Sequence, residues 1–142
     1  NILISKTGNL FHIDFAHFLG NVQMWQGIKR ERAPFVLTPE FVYVMGKEDG
    51  EHFHTFVSLC CTAYNVLRRH AHLFISLFAM MLSTGIPELT CAEDIEYLCQ
   101  AFALRKSDEE ATEIFKGLIQ ESLNTKATQV NFFIHNMAHL QT

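Results

Sequence analysis

The chain begins with NILISKTGNLFHID (residues 1–14), and this stretch decides the fold. Two largely apolar runs, residues 2–4 and 10–13, flank the polar segment 5–8, in which Ser suits the first position of a type I turn and Gly the fourth. The pattern therefore predicts a β-hairpin. A three-residue loop pairs Ile4 with Leu10, whereas a two-residue loop places Asn1 opposite Asp14. Both registers bring Asn1 and Asp14 close together.

Asn1 and Asp14, the two residues at the open end of this hairpin, are candidates for binding a metal ion. An amide oxygen and a carboxylate are hard ligands, and Mg²⁺ prefers a few such oxygens together with substrate phosphates. In kinases, the Asp of an Asp-Phe-Gly triplet and the Asn that closes the catalytic loop hold the metal ions. Here Asp14 is followed by Phe15 and Ala16. We interpret Asn1 and Asp14 as metal ligands and Asp14 as catalytic; the alternative is a terminal turn residue and a hairpin-end cap.

The segment after the hairpin has the features of a functional loop. Residues 15–35 show no sustained periodicity, and loops longer than about 15 residues are usually functional or mobile. Residues 29–32 (KRER) hold three of the chain's eleven Lys and Arg residues, whereas residues 15–28 hold none. Such a cluster near a metal site suits the clamping of a phosphorylated head group, although a solvated surface cluster is the simpler alternative.

The rest of the chain shows the end signals and spacing of helices. Pro39 suits a first helical turn, and Thr90 with Glu93 and Ser107 with Glu110 form two capping-box patterns. The predicted helices cover about 39–47, 53–67, 71–83, 91–103, 108–123 and a last amphipathic segment near 130–137. We expect a bundle of about six helices to form the core.

Composition limits the class of protein. A length of 142 residues corresponds to one domain at most, and 49% apolar content with 13 Phe excludes intrinsic disorder. The net charge of −4 argues against bulk binding to nucleic acid, and the longest apolar run is too short to span a bilayer. The four cysteines lack paired spacing, which favours a reduced cytoplasmic location. Because the chain reads as a strand from its first residue, we expect a fragment of something larger.

Several motifs resemble those of phosphoinositide 3-kinases. The stretches 1–14, FHIDF (11–15), FLG (18–20) and KRERAPFV (29–36) resemble the end of the catalytic loop and the activation loop of that family. The resemblance continues through IPEL (86–89) to NFFIHN (131–136), and so covers essentially the whole chain. CCTAYN (60–65) and the closing FFIHN look most like the class II (C2-domain-containing) branch. One departure is Ala16, where the family usually has Gly.

The resemblance implies a C-terminal lobe fragment that is mainly α, with a hairpin at 1–14, an activation loop at 15–37 and a helical part at 38–142. The upper lobe and most of the catalytic loop would precede residue 1, so the fragment alone is expected to be inactive. The positions that match are Asn1 and Asp14 for metal, Leu3 and Ile13 for the adenine pocket, and Lys29, Arg30 and Arg32 for the basic box that faces the inositol phosphates.

The implied activity is transfer of the ATP γ-phosphoryl group to the 3-hydroxyl of phosphatidylinositol or its 4-phosphate, with Mg²⁺ or Mn²⁺. The expected partners are ATP, an inositol phospholipid at the membrane surface and other domains of the same chain, with no nucleic acid; the expected location is cytoplasmic and peripheral at membranes. Two alternatives stay open. A protein kinase would end its activation loop with Ala-Pro-Glu, where this chain has Ala33, Pro34 and Phe35. A catalytically inactive kinase-fold scaffold is favoured only by Ala16.

Overall fold

A computed structural model describes residues 2–13, 18–22, 24–29, 32–87 and 89–125. In these ranges two short antiparallel ladders precede a helical part. The strands are β1 (Ile2–Ile4), β2 (Leu10–His12), β3 (Met24–Trp25) and β4 (Ile28–Lys29). The helices are α1 (Pro39–Val44), α2 (Glu51–Arg69), α3 (Ala71–Met81), α4 (Ala92–Ala101) and α5 (Asp108–Asn124), with a 3₁₀ turn at Leu82–Thr84. The predicted mainly α fold with an N-terminal hairpin is confirmed.

The first hairpin adopts the register of the three-residue loop. The paired residues are Ile2 with His12, Leu3 with Phe11 and Ile4 with Leu10. The N–H of Ser5 donates to the carbonyl of Asn9 at 2.8 Å, and the N–H of Gly8 donates to the carbonyl of Ser5 at 3.0 Å. Since these bonds close the turn around residues 6–8, the alternative two-residue loop is excluded.

A second hairpin lies inside the predicted loop, where the residue pattern shows no periodicity. Met24 pairs with Lys29 and Trp25 with Ile28, so that Gln26 and Gly27 form a two-residue turn. Both turn residues have positive φ, +49° and +79°, as a type I′ turn requires. Strands of two residues are too short to show alternation in the sequence, which explains why the prediction of an irregular loop was wrong here.

The helix ends follow the capping signals, with one correction. At α5 the N–H of Glu110 donates to Ser107 Oγ at 3.2 Å and the N–H of Ser107 donates to Glu110 Oε2 at 2.9 Å, as predicted. At α4 the acceptor is Asp94 rather than Glu93, because the helix begins one residue later than predicted, after Cys91. The last predicted helix, near 130–137, lies outside the described residues.

The core lies between α1, α2 and α5. Its buried apolar side chains are Leu37, Val42, Phe53 and Ile119, with Phe56, Phe115 and Leu123 packed against them. Tyr64 of α2 stacks on Phe115 of α5 with ring centroids 4.8 Å apart, and its hydroxyl donates to the carbonyl of Ala101 at 2.7 Å. Helix α3 packs on α4 beside this core. None of the described helices is both long and apolar enough to span a membrane.

A polar network joins the end of α2 to the connection between α4 and α5. The guanidinium of Arg68, whose side chain is 7% exposed, donates to the carbonyl of Phe102 at 2.9 Å and to Asp108 Oδ1 at 2.8 Å. Asn65 donates to the carbonyl of Asp108 at 3.1 Å, and the exposed Arg69 reaches Asp108 Oδ2 at 2.8 Å. The hydrogen bond from Arg69 and the charges of both arginines lower the pKa of Asp108. This network fixes where α5 begins.

Candidate functional site

The first hairpin presents an apolar face that includes both predicted adenine-pocket residues. Leu3 is paired with Phe11, and strand alternation puts Ile13 on the same face as Phe11. These three side chains are similarly exposed, at 46%, 45% and 44% for Leu3, Phe11 and Ile13. Phe11 was missed as a candidate, although the predicted register already placed it opposite Leu3. The face offers exposed apolar side chains for contact with a planar ring.

The two predicted metal ligands flank the open end of this hairpin. Asn1 directly precedes Ile2, and Asp14 follows His12 by two positions. Both residues, like Ala16, lie outside the described residues, so their assignment stays a prediction. The donor set itself suits the group: an amide oxygen and a carboxylate oxygen are what a hard divalent cation selects. The paired Ile2 and His12 keep the two chain ends of the hairpin together.

The basic cluster carries charges that the described part of the fold leaves uncompensated. Lys29 in β4 and Arg32 after it are exposed, and neither forms an ion pair with a described carboxylate; Arg30 lies outside the described residues. Elsewhere four cations are paired with acids, namely Arg68, Arg69, Lys106 and Lys116. Exposed, unpaired cations on a loop are suited to contact an anionic ligand.

The start of the loop is anchored on two helices, which the sequence did not predict. The ring of Phe18 lies 6.3 Å from that of Phe78 in α3. The side-chain amide of Asn21 donates to Asp94 Oδ1 in α4 at 3.2 Å, across 73 positions of sequence. These contacts hold residues 18–22 against the helical part.

Gly20 makes the closest approach in this anchor. A Cβ atom at this position would lie 2.8 Å from Cδ2 of Tyr97, a distance that real Cβ atoms do not tolerate. Its φ of +82° is also a conformation that favours glycine. The sequence shows Gly20 only as one of two loop glycines, and nothing in its neighbours indicates Tyr97 as the contact.

Asp94 has two roles that use different oxygens. Its Oδ2 accepts from the backbone N–H groups of Thr90 at 3.0 Å and Cys91 at 3.2 Å, and its Oδ1 accepts from Asn21. The backbone hydrogen bonds lower the pKa of Asp94, and the Asn21 amide acts in the same direction. The carboxylate is therefore charged at neutral pH. Because the predicted capping acid was Glu93, sequence analysis missed this residue.

Comparison with known proteins identifies relatives over nearly the whole chain. A family model described as phosphatidylinositol 3- and 4-kinase matches residues 1–91. Phosphatidylinositol 3-kinase 1 of Dictyostelium discoideum is 58% identical over 139 residues, which are 98% of this chain and 9% of that protein. The human phosphatidylinositol 4-phosphate 3-kinase C2 domain-containing subunit beta is 49% identical over 143 residues, 99% of this chain and 9% of that protein. The chain thus spans less than a tenth of the length of these curated relatives.

Proposed function

The chain belongs to the phosphatidylinositol 3- and 4-kinase family, in which it corresponds to the mainly α C-terminal lobe, and we propose that it serves a lipid kinase. The proposed reaction of the whole protein is transfer of the ATP γ-phosphoryl group to the 3-hydroxyl of phosphatidylinositol or phosphatidylinositol 4-phosphate. The observation that carries this proposal is the hairpin register, because pairing of Ile2 with His12 leaves Asn1 and Asp14 only one and two residues from paired positions.

Asn1 and Asp14 are the proposed ligands of Mg²⁺ or Mn²⁺. When bound, the metal would neutralise the negative charge of the ATP phosphates. The pairing of Ile2 with His12 holds together the two strand ends next to which these residues stand in the sequence. Asp14 is the proposed catalytic residue, since it carries the only carboxylate within residues 1–30.

The apolar face of Leu3, Phe11 and Ile13 is the proposed floor of the adenine pocket. Its three side chains are exposed to a similar extent, and an isolated two-stranded hairpin is only marginally stable in water. Cover by a nucleotide base and by the preceding part of the protein would remove this apolar surface from water. The proposal extends the predicted pair, Leu3 and Ile13, by Phe11.

The cations Lys29, Arg30 and Arg32 are the proposed contacts for the lipid head group. A head group with phosphates at positions 4 and 5 would call for cations on both stretches of the loop, yet residues 15–28 contain no Lys or Arg. We therefore propose a preference for phosphatidylinositol and its 4-phosphate, as in the class II-like branch. The human relative that contains a C2 domain is named for the 4-phosphate, which supports this choice. The substrate implies action at the cytoplasmic membrane surface.

The test is turnover of the full-length protein on three lipids in vesicles of matched composition. We expect labelled phosphate from ATP on the 3-position, with phosphatidylinositol and its 4-phosphate preferred over the 4,5-bisphosphate. The double variant Gln23→Lys/Gln26→Lys should shift selectivity toward the bisphosphate by about thirtyfold, since each of the two added charge-assisted contacts contributes roughly 1 kcal/mol. Gln120→Lys, which adds a charge on the exposed side of α5, is the control and should not shift it.

Four outcomes would each contradict a different part of the proposal. Phosphate on the 4-position would assign the protein to the 4-kinase side of the family. Preference of the unmodified protein for the bisphosphate would show that head-group recognition lies outside this loop. Phosphorylation of protein substrates alone, or no turnover with any acceptor, would favour the protein kinase or the inactive scaffold.

A further inference from the structure

We propose that Asn21 and Asp94 are positioning residues that fix the start of the activation loop on α4 and thereby limit the positions open to Asp14. This inference rests on the proposed lipid kinase function for its effect on turnover. Its structural part concerns only the described contacts between residues 18–22 and helices α3 and α4.

The stretch of chain between the first hairpin and the anchor is short. The paired part of the hairpin ends at His12, and the anchor begins at Phe18, whose ring lies 6.3 Å from that of Phe78 in α3. Five residues separate these two points in the sequence, and each extended residue spans about 3.5 Å at most. Asp14 is the second of the five. A short segment that is held at both ends has fewer conformations than a free chain, so we expect the anchor to restrict Asp14.

The hydrogen bond between Asn21 and Asp94 joins the loop to a carboxylate that is itself held in place. Asp94 cannot turn away from Asn21 without losing its other contacts, because Oδ2 is held by the N–H groups of Thr90 and Cys91. Oδ1 then points to the amide of Asn21 at 3.2 Å. A hydrogen bond to a charged carboxylate is stronger than one between neutral groups. The pair therefore ties the loop to the first turn of a regular helix rather than to another loop.

A close steric contact adds to this anchor. Gly20 lies so close to the ring of Tyr97 that no side chain fits between them. Phe18, Gly20 and Asn21 thus make three different kinds of contact within four residues, with three side chains on two helices. A loop segment that only filled space would not need an aromatic contact, a glycine approach and a charge-assisted bond together.

An exchange of the two side chains tests the pair in the full-length protein. Asn21→Asp brings two carboxylates together, whereas Asn21→Asp with Asp94→Asn restores one donor and one acceptor. The restored amide still offers an oxygen to the backbone N–H groups that cap α4. Glu93→Gln, which removes the neighbouring acid of α4, is the matched control.

Two measurements are needed, one of which does not depend on catalysis. Trypsin cleavage after Lys29, Arg30 and Arg32, without ATP or metal, reports how often the loop opens. For Asn21→Asp we expect cleavage about tenfold faster and kcat about tenfold lower, with KM for ATP and for lipid within about twofold, since the pair contributes one charge-assisted hydrogen bond. The exchanged double variant should recover both cleavage protection and kcat, and Glu93→Gln should match the unmodified protein.

The outcomes separate the two proposals. Unchanged cleavage in Asn21→Asp, or no recovery in the exchanged variant, would overturn the positioning role. A parallel rise in KM without a loss of kcat would also overturn it, because the pair would then act on substrate binding. The expected cleavage pattern in a protein that phosphorylates no lipid would support the anchor and overturn the proposed function.

Discussion

Two groups of cations in the described part of the chain differ in whether the fold pairs them with acceptors. At the end of α2, Arg68 is nearly inaccessible, and its guanidinium donates to a carboxylate and to backbone carbonyls. In the loop, Lys29 and Arg32 are exposed and form no ion pair within the described part of the chain. Cations whose charge is satisfied inside the fold stabilise it, whereas cations without a partner are available to a ligand. The first group should therefore affect stability when it is changed, and the second should affect activity.

The largest effect is expected from Asp14→Asn, which changes the proposed active site next to the loop cations in the sequence. Loss of a metal-binding charge should lower Mg²⁺-dependent turnover of the full-length enzyme on the order of 10³-fold or more. Hydrogen exchange of the α2 and α5 amides should not change, because the described core of these helices is apolar. Initial rates with saturating ATP give the measurement.

The control for this change is Asp49→Asn, which removes the charge of an exposed Asp between α1 and α2. It should leave turnover intact. If Asp14→Asn retains more than a tenth of the unmodified rate, Asp14 is not a metal ligand and the active end of the comparison lies elsewhere.

The next largest effect is expected from Arg68→Ala, which removes a cation that is paired within the fold. Removal of this side chain leaves the buried carbonyl of Phe102 and Asp108 Oδ1 without this donor, while Arg69 still donates to Asp108 Oδ2. Hydrogen bonds to a charged group contribute about 1.5–3 kcal/mol, so we expect a loss of about 3 kcal/mol. Hydrogen exchange of the α2 and α5 amides in the full-length protein should become roughly a hundredfold faster.

Arg69→Ala is a matched control, since Arg69 contacts the other oxygen of Asp108 at the same 2.8 Å but its side chain is 66% exposed. Exposed ion pairs contribute little to stability. Equal acceleration in the two variants would show that burial is not what distinguishes these cations, and the comparison would fail.

Much of the fold could be predicted from the sequence, whereas the long-range contacts could not, and the difference has physical causes. The hairpin followed from a strong turn signal, and α5 followed from Ser107 and Glu110, because these signals act over three or four residues. The second hairpin was missed, since its strands are only two residues long. The bonds of Arg68 to Asp108 and of Asn21 to Asp94 were missed as well. They join residues 40 and 73 positions apart, and no local pattern encodes such pairs.

A moderate effect is expected from Lys29→Gln and Arg32→Gln. Each change removes one cation from the proposed head-group contact, so KM for the lipid should rise about fivefold to tenfold, as expected for one charge-assisted contact. Stability should stay the same, because neither side chain has an ionic partner among the described residues. The salt dependence of turnover should also become weaker, since fewer charges attract the anionic surface.

Lys106→Gln and Lys116→Gln are suitable controls, because both are exposed lysines that form ion pairs with Glu110 and Glu113. They remove the same charge from the chain as a whole. A similar rise in KM for these variants would mean that net charge, rather than the position of the loop cations, governs the lipid interaction.

The smallest effect is expected on stability at low pH, and it tests the contribution of Asp108 to the Arg68 network. Its pKa is lowered in the folded protein, first by the hydrogen bond from Arg69 and then by the charges of both arginines, so the unfolded chain binds this proton more readily than the folded one. The stabilisation is therefore fully present above the pKa of an unfolded Asp, about 4, and is lost as the pH falls through the lower folded value. Between pH 7 and 5 the protection of α2 and α5 amides, corrected for intrinsic exchange, should not vary on account of Asp108; below about pH 4 it should decline.

Asp108→Asn should start from lower protection at neutral pH and show a shallower acid decline, whereas Asp49→Asn should keep the decline of the unmodified protein. If Asp108→Asn declines as steeply as the unmodified protein, another carboxylate controls the acid response, and the Arg68 network stabilises the fold through its backbone hydrogen bonds alone.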